Sequence, residues 1–312
     1  MRIVSLLPST TEIACKLGFE QNLVGRSHEC DYPESVEKLP VLTEPKYSEN
    51  GTSIDIDNRV KSLIEKGLSV YKVDAEKLAS LNPDIILTQD HCKVCAVSLS
   101  DVESALHQTV QEQTKVISVS PENLQQIYQS IIDIGSALEA KKKAKNVVNE
   151  MQLRMNIIRN TLTHVQPVSA VTIEWIDPLM TAGNWIPECI HIAGGEDLLG
   201  TAGQHSPWIK WKDIKQTNPE FLLISPCGYS IVQTLREFKT LQHKPGWKNL
   251  RAVQNNRVFI LDGHHYFNRP GPRIFDSTRI LAEVFHPNHF KPTLKNIGWV
   301  NTKDIESAEL RR

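Results

Sequence analysis

Residues 121–164, PENLQQIYQSIIDIGSALEAKKKAKNVVNEMQLRMNIIRNTLTH, are the stretch that decides the fold. Apolar residues recur in it at spacings of three and four, which predicts two amphipathic helices. Ser120 or Pro121 opens the first helix, and the charged residues 139–143 mark the joint before the second. A second helix of about 20 residues spans roughly 30 Å. We therefore interpret the two helices as a spine that connects two lobes.

On both sides of this spine, short apolar runs alternate with helical patterns, which predicts α/β lobes built on parallel sheets. The chain of 312 residues exceeds the size at which a single core keeps growing, so two domains are expected. We expect an N-terminal α/β lobe at residues 1–120, the helical spine at residues 121–165 and a C-terminal α/β lobe at residues 166–312.

Composition limits the classes of partner. The chain is 40% hydrophobic and 23% charged, as in globular proteins, and its net charge is −1. Without a basic stripe that contains aromatics, nucleic acid is not an expected partner. No apolar run reaches the roughly 18 residues of a membrane span, and residues 1–7 resemble a strand more than a signal peptide. We expect a monomer that is cytoplasmic as written, or periplasmic if a leader was removed.

The loops after the first two predicted strands carry polar side chains at the edge where open α/β sheets bind ligands. Residues 9–12, STTE, match a capping box, whose free amide groups can hold a polar ligand; an ordinary helix cap is the alternative reading. The loop at residues 26–33 contributes His28, Glu29, Cys30 and Tyr32. Residues 46–69 form an excursion with a short predicted helix at residues 57–66.

A Cys-x-x-Cys pair follows a further predicted strand of the first lobe. His91, Cys92 and Cys95 lie in this loop, just before a predicted helix at residues 100–110. A zinc or iron site here would need further ligands, and His91 or the His28 and Cys30 loop could supply them. A redox-active pair and a structural loop with two spare thiols are the alternatives that the spacing leaves open.

Large rings mark the strand ends of the second lobe. Flanked by glycine, proline and aspartate, they suit the walls of a flat, partly apolar ligand site, although packing between lobes is the alternative. The residues concerned are Trp175, Trp185, Trp208, Trp211, His264, His265, Tyr266 and Phe267.

Several short motifs occur in an order that resembles the vitamin B12-binding proteins of ABC transporters, which are helical-backbone solute-binding proteins. They cover nearly the whole chain: IVSLLPSTTEI at residues 3–13, DYP at 31–33, LNPDIIL at 81–87, GGED at 194–197, PW at 207–208 and RPGPR at 269–273. The excursion at residues 46–69 and the loop with Cys92 and Cys95 depart from the family pattern.

The resemblance implies a cleft between two lobes that binds cobalamin or a related corrinoid, with aromatic residues from both lobes along it. The implied ligand-binding residues are Pro8, Ser9, Thr10, His28, Glu29, Tyr32, Gln89, Trp175, Trp185, Trp208, His264, His265, Tyr266 and Phe267. It also implies that Glu76 and Glu196 dock on an ABC permease, although first-turn acids such as Glu76 also stabilise a helix dipole.

We therefore expect a non-enzymatic binding protein for a corrinoid or a similar metal chelate. The alternative is a metal-binding protein or metalloenzyme in which Cys92 and Cys95 bind zinc or iron and Glu29 or Glu174 acts as a base. No nucleophilic triad motif, phosphate loop or dinucleotide fingerprint in the sequence supports catalysis.

Overall fold

The computed structural model describes residues 1–66, 70–89 and 114–309. The chain divides into two compact units, Met1–Pro121 with Gln125–Glu150 and Glu122–Leu124 with Met151–Arg312. Each unit contains a sheet with parallel strands and helices, which confirms the predicted fold class. The helix predicted at residues 100–110 lies outside the described residues. Among the described helices, none combines the length and the apolar character that crossing a membrane requires.

The first unit is built on a four-stranded parallel sheet in the order β2-β1-β5-β6, and β3 and β4 form a separate antiparallel pair. Buried Val4, Leu6, Leu42 and Ile86 belong to its apolar core. The strands are β1 (Ile3–Ser5), β2 (Leu23–Arg26), β3 (Thr43–Pro45), β4 (Tyr71–Val73), β5 (Ile85–Gln89) and β6 (Lys115–Val119).

Two early helices begin at residues that differ from the prediction. The first begins at Pro8 with Leu7 as its N-cap and without a side-chain cap, so the predicted capping box at residues 9–12 is wrong. The second begins at Ser53, because Thr52 and Asp55 cap each other reciprocally. The helices up to the spine are α1 (Pro8–Lys16), α2 (Ser53–Glu65), α3 (Ala75–Leu81), α4 (Leu124–Ala137) and α5 (Lys141–Thr161).

The spine is the predicted pair of helices, α4 and α5. Helix α4 begins at Leu124 instead of at Pro121, and the Leu124 amide donates to the Glu188 carboxylate at 2.7 Å. A carboxylate from elsewhere in the chain thus supplies the cap. Helix α5 has 21 residues, and the division between the two units falls within it, after Glu150. The two helices approach closely at Gly135, where an added Cβ would lie 2.4 Å from the Ala144 Cβ.

The second unit is built on a sheet in the order β12-β11-β10-β7-β8, with β9 also paired to β7. Strands β7, β9, β10 and β11 run parallel, while β8 and β12 are antiparallel. Its strands are β7 (Val168–Trp175), β8 (Met180–Thr181), β9 (Gly195–Asp197), β10 (Phe221–Ile224), β11 (Val258–Leu261) and β12 (Trp299–Asn301).

The remaining helices pack beside this sheet, and a π-helical turn at Gly263–Phe267 follows β11. Buried Val171, Ile173, Leu222 and Ile260 form part of the apolar core. The helices are α6 (Ile186–Ile192), α7 (Trp211–Thr217), α8 (Ile231–Gln242), α9 (Arg251–Gln254), α10 (Ile274–Phe285) and α11 (Thr302–Glu309).

Candidate functional site

The carboxyl ends of β1, β2 and β5 form one edge of the sheet in the first unit. The hydroxyls that follow β1 are turned inward: the Thr10 and Ser5 side-chain oxygens are 2.8 Å apart, and Thr11 donates to the Cys30 sulfur at 3.1 Å. Both threonines and Cys30 are fully buried. This network joins the start of α1 to the loop after β2, so Thr10 and Cys30 serve as internal contacts of the unit.

Pro8, Ser9 and Gln89, which were predicted to contact a ligand, are also buried. The Ser9 hydroxyl has no hydrogen-bond partner, which leaves a polar group available beside the start of α1. Tyr32 is 46% exposed. Thus Tyr32 is the predicted ligand residue of this edge with the most accessible side chain.

His28 lies in the loop after β2. Its Nδ1 is 2.8 Å from the Thr43 hydroxyl, and its Nε2 is buried without a hydrogen-bond partner. Burial lowers the pKa of His28, and the charge of Arg26 acts in the same direction. The imidazole is therefore neutral at pH 7 and can act as a metal ligand.

Side chains that could hold a metal ion are grouped in the first unit differently from the prediction. His28, Glu29 and Glu49 offer three ligand atoms that all lie within 4.8 Å of one another. Cys30, predicted to join His28 in a metal site, belongs instead to the hydroxyl network described above. His91, Cys92 and Cys95 lie outside the described residues.

The matching edge of the second unit contains the half-buried side chain of Glu174 at the end of β7. The Glu174 carboxylate accepts from the Ser206 hydroxyl at 2.7 Å and from the Asn268 amide at 3.2 Å. Burial raises the pKa of Glu174 to about 7, although the bond from Ser206 opposes that shift. This carboxyl group can therefore carry or release a proton near neutral pH.

Beside Glu174, an aromatic pair covers the ends of β7 and β10. Trp175 meets Tyr229 edge to face with ring centroids 5.4 Å apart, and the Tyr229 hydroxyl donates to Glu237 at 3.1 Å. The buried Trp175 indole nitrogen has no hydrogen-bond partner. A donor in this position suits a ligand that combines an apolar ring with a peripheral acceptor.

The π-helical turn after β11 presents two imidazoles and a phenol. The Asp262 carboxylate accepts from the His265 amide at 2.7 Å, which fixes the start of the turn. The Arg269 guanidinium lies 3.1 Å from His264 Nε2. Because arginine can only donate, His264 accepts this hydrogen bond at Nε2. His264, His265 and Tyr266 are each half-buried.

Two aromatic residues predicted to line the site support this turn from inside instead. Trp185 is 6% exposed, and its indole donates to the Phe267 carbonyl at 3.2 Å; Phe267 is 2% exposed. Neither ring presents a face to a ligand. Trp208, in contrast, is 56% exposed. Tyr229, Ser206 and Asn268 were not among the predicted site residues, although Tyr229 follows a short apolar run at residues 221–225 that is typical of a buried strand.

The two glutamates predicted to dock on a permease are both exposed. Glu76 lies in the first turn of α3, and Glu196 lies in β9. Neither has a salt bridge among the described residues. They are therefore available for contact with a partner.

Comparison with known proteins places this architecture in a family. A family model described as periplasmic binding protein matches residues 3–264. An uncharacterised ABC transporter substrate-binding lipoprotein, YvrC from Bacillus subtilis, is 26% identical over 93% of this chain and 81% of its own length. A vitamin B12-binding protein from Vibrio vulnificus is 22% identical over 91% of this chain and 89% of its own.

A solved structure of the periplasmic heme-binding protein RhuT from Roseiflexus sp. RS-1 has a TM-score of 0.69 and 19% identity. It covers 92% of this chain and 98% of its own, and it supports the fold. These matches support the periplasmic alternative over the cytoplasmic expectation. The chain belongs to the periplasmic binding protein family, whose members are non-enzymatic solute-binding proteins of ABC transporters.

Proposed function

We propose that this protein delivers a flat metal chelate of the corrinoid or porphyrin class to an ABC permease. The observation that carries the proposal is the edge of the second unit: the half-buried rings of Trp175, His264 and Tyr266 follow strands β7 and β11, and the Trp175 indole nitrogen has no hydrogen-bond partner. Aromatic faces suit the apolar plane of such a macrocycle, and the unpartnered Trp175 indole nitrogen suits a peripheral amide or carboxylate.

Two imidazoles belong to the same edge. The Arg269 guanidinium donates to His264 Nε2, and the His265 ring lies 4.6 Å from the His264 ring, measured between centroids. Because its Nε2 is engaged, His264 contributes planar ring surface to a macrocycle instead of a metal-binding nitrogen. The relatives named for vitamin B12 and heme bind ligands of this shape, which supports the class without deciding between its members.

The test is an absorbance titration of the purified chain with cyanocobalamin and, separately, with hemin. We expect saturable binding of one equivalent of one of them, with a shift of the ligand spectrum. Trp208→Ala should weaken this binding, since it removes the most exposed ring of the unit, and Leu153→Ala, at an exposed position on α5, is the matched control. Failure of both ligands to bind would contradict the proposal.

For the partner, we propose that Glu76 and Glu196 contact the permease. Both are exposed carboxylates on rigid elements, as a charge-based docking contact requires. In a strain that depends on this transporter, reversing either charge should reduce ligand uptake and leave ligand affinity unchanged.

A further inference from the structure

The excursion at residues 46–69 completes a cluster of metal ligands that the proposed chelate site does not use. Strands β3 and β4 form its base, and Glu49 lies just after β3. There the Glu49 carboxylate joins His28 and Glu29, and each pair of ligand atoms is within 4.8 Å. We propose that these three side chains bind a divalent transition-metal ion of the zinc class, independently of the chelate.

The hydrogen bonds around His28 define which ring nitrogen has a lone pair for an ion. Thr43 accepts from the His28 amide at 3.1 Å and donates its own proton to the Ser27 hydroxyl at 3.0 Å. The Thr43 hydroxyl has no second proton, so His28 Nδ1 must be the donor across the 2.8 Å contact. Nε2 therefore carries a lone pair, and it is buried without any hydrogen-bond partner.

This arrangement is the one that metal-binding histidines require. A ligating imidazole donates its other N–H to a neighbouring acceptor, which fixes the tautomer and the ring orientation. Here Thr43 is that acceptor, and the Tyr71 ring packs against His28 with centroids 5.5 Å apart. An unprotonated nitrogen without a partner is otherwise costly inside a protein, and a metal ion would satisfy it.

Glu49 is held by its neighbours on the chain. The Arg59 guanidinium on α2 donates to the Ser48 carbonyl at 2.9 Å and to the Asn50 carbonyl. The residues on both sides of Glu49 are thus tied to a helix, which limits where its carboxylate can go. Because Glu49 is exposed and Glu29 is half-buried, solvent can deliver an ion to this cluster.

The ligand set indicates the class of ion. One imidazole nitrogen and two carboxylates balance a divalent charge, and the nitrogen favours zinc, cobalt or nickel over magnesium or calcium. Ligands on one zinc ion lie about 3.3 Å apart, so the separations between the three ligand atoms would shorten by at most about 1.5 Å on binding. Three protein ligands leave a fourth coordination position open.

The test uses the whole chain, stripped with a chelator and desalted, with free Zn²⁺ as the titrant in calorimetry and Co²⁺ as the absorbing probe. We expect one equivalent to bind. Glu49→Gln and His28→Gln should each weaken binding by at least about tenfold, and Thr43→Val, which removes only the acceptor for Nδ1, by about 10–100-fold. Glu65→Gln, the same change at an exposed position of the excursion, should have no effect.

A Cys92→Ser, Cys95→Ser variant separates this site from the Cys-x-x-Cys pair and should bind zinc normally. The proposal is overturned if the chain binds no zinc, if binding survives both Glu49→Gln and His28→Gln, or if only the cysteine variant loses it. Because the titrants are free ions, this outcome is independent of whether cobalamin or hemin binds.

Discussion

The two units share one architecture, but the carboxyl edges of their sheets differ in chemistry. In the first unit the hydroxyls of Thr10 and Thr11 are buried in an internal network, and one neutral imidazole remains beside two carboxylates. In the second unit, the edge carries an aromatic pair, two imidazoles and the carboxylate of Glu174. The same edge of a parallel sheet can thus be adapted to coordinate an ion or to hold a flat ring, because the loops carry the chemistry.

The largest expected effect is a loss of stability when a methyl group is added at a tightly packed glycine of one edge. An added Cβ at Gly263 would lie 2.1 Å from the Pro226 carbonyl oxygen, so the backbone must move. We expect Gly263→Ala to lower the free energy of unfolding by about 3 kcal/mol. In the first unit, a Cβ at Gly25 meets only the ends of the Leu42 and Leu81 side chains, which can rotate away.

Urea unfolding of the two alanine variants, followed by far-ultraviolet circular dichroism, makes this comparison, because both units contain helices. A larger loss for Gly25→Ala than for Gly263→Ala would show that the first edge is the more rigid one.

The next effect is the pH dependence that Glu174 confers on stability. Its pKa is raised to about 7 from 4.5, so between these values the folded state binds a proton that the unfolded state lacks. This stability is present below pH 4.5 and is lost as pH rises through 7, by up to about 3 kcal/mol. Glu174→Gln should remove that loss, which unfolding free energies at pH 5 and pH 8 would measure.

The contribution of His28 to stability should change with pH in the opposite direction. Because its pKa is lowered in the folded state, folding disfavours protonation, and its contribution is lost as pH falls through 6.5 towards the folded value. His28→Gln should therefore flatten the acid side of the stability profile, whereas Glu174→Gln changes the neutral side. If His28→Gln and Glu174→Gln changed the pH dependence of stability in the same direction, this distinction between the two units would be contradicted.

A smaller effect is expected on the affinity for the chelate when one aromatic ring is removed. An aromatic contact contributes about 0.5–1.5 kcal/mol beyond its buried area, so Trp208→Ala should lower affinity about tenfold. Tyr32→Ala, which removes the accessible ring of the first unit, should cost less if the second edge carries most of the contact. Equal losses would assign the ring contacts to both units alike. Dissociation constants from absorbance titrations decide between these outcomes.

The smallest effect on ligand affinity is expected for the docking glutamates. Glu76→Lys and Glu196→Lys should leave the dissociation constant unchanged and reduce uptake in cells, since neither side chain belongs to the ligand edges. Glu65→Lys is a control for added surface charge. A change in affinity comparable to that of Trp208→Ala would contradict the assignment.

The sequence predicted those helices and strands whose bounds depend on only a few neighbouring residues. The short apolar runs at residues 115–119 and 258–261 predict two strands, and the structure has strands with these bounds, β6 and β11. The start of α1 was mispredicted, since Pro8 occupies the first helical position and displaces the expected serine cap. The three-residue strands β3 and β4 were missed because their pairing joins segments about 30 residues apart in the chain.

The contents of the candidate sites were harder to predict than the edges that carry them. Sequence spacing placed His28 and His264 at strand ends, but burial decides that Trp185 and Phe267 point inward. Glu49 could not be associated with His28, since the connection from β2 to β3 and the β3–β4 pair bring them together. The cap that Glu188 provides for α4 depends on tertiary contact in the same way.

The most direct test measures how one substitution at each edge changes the affinity for each of the two ligand classes. Zn²⁺ and the chelate that binds, cyanocobalamin or hemin, are titrated into the unchanged chain, Glu49→Gln and Trp208→Ala. The account predicts that Glu49→Gln weakens only the binding of zinc and that Trp208→Ala weakens only the binding of the chelate. Each dissociation constant should rise by about tenfold or more. The proposed division of binding chemistry between the two units is wrong if both substitutions weaken the binding of the same ligand. It is also wrong if Glu49→Gln leaves zinc binding unchanged and Trp208→Ala leaves chelate binding unchanged.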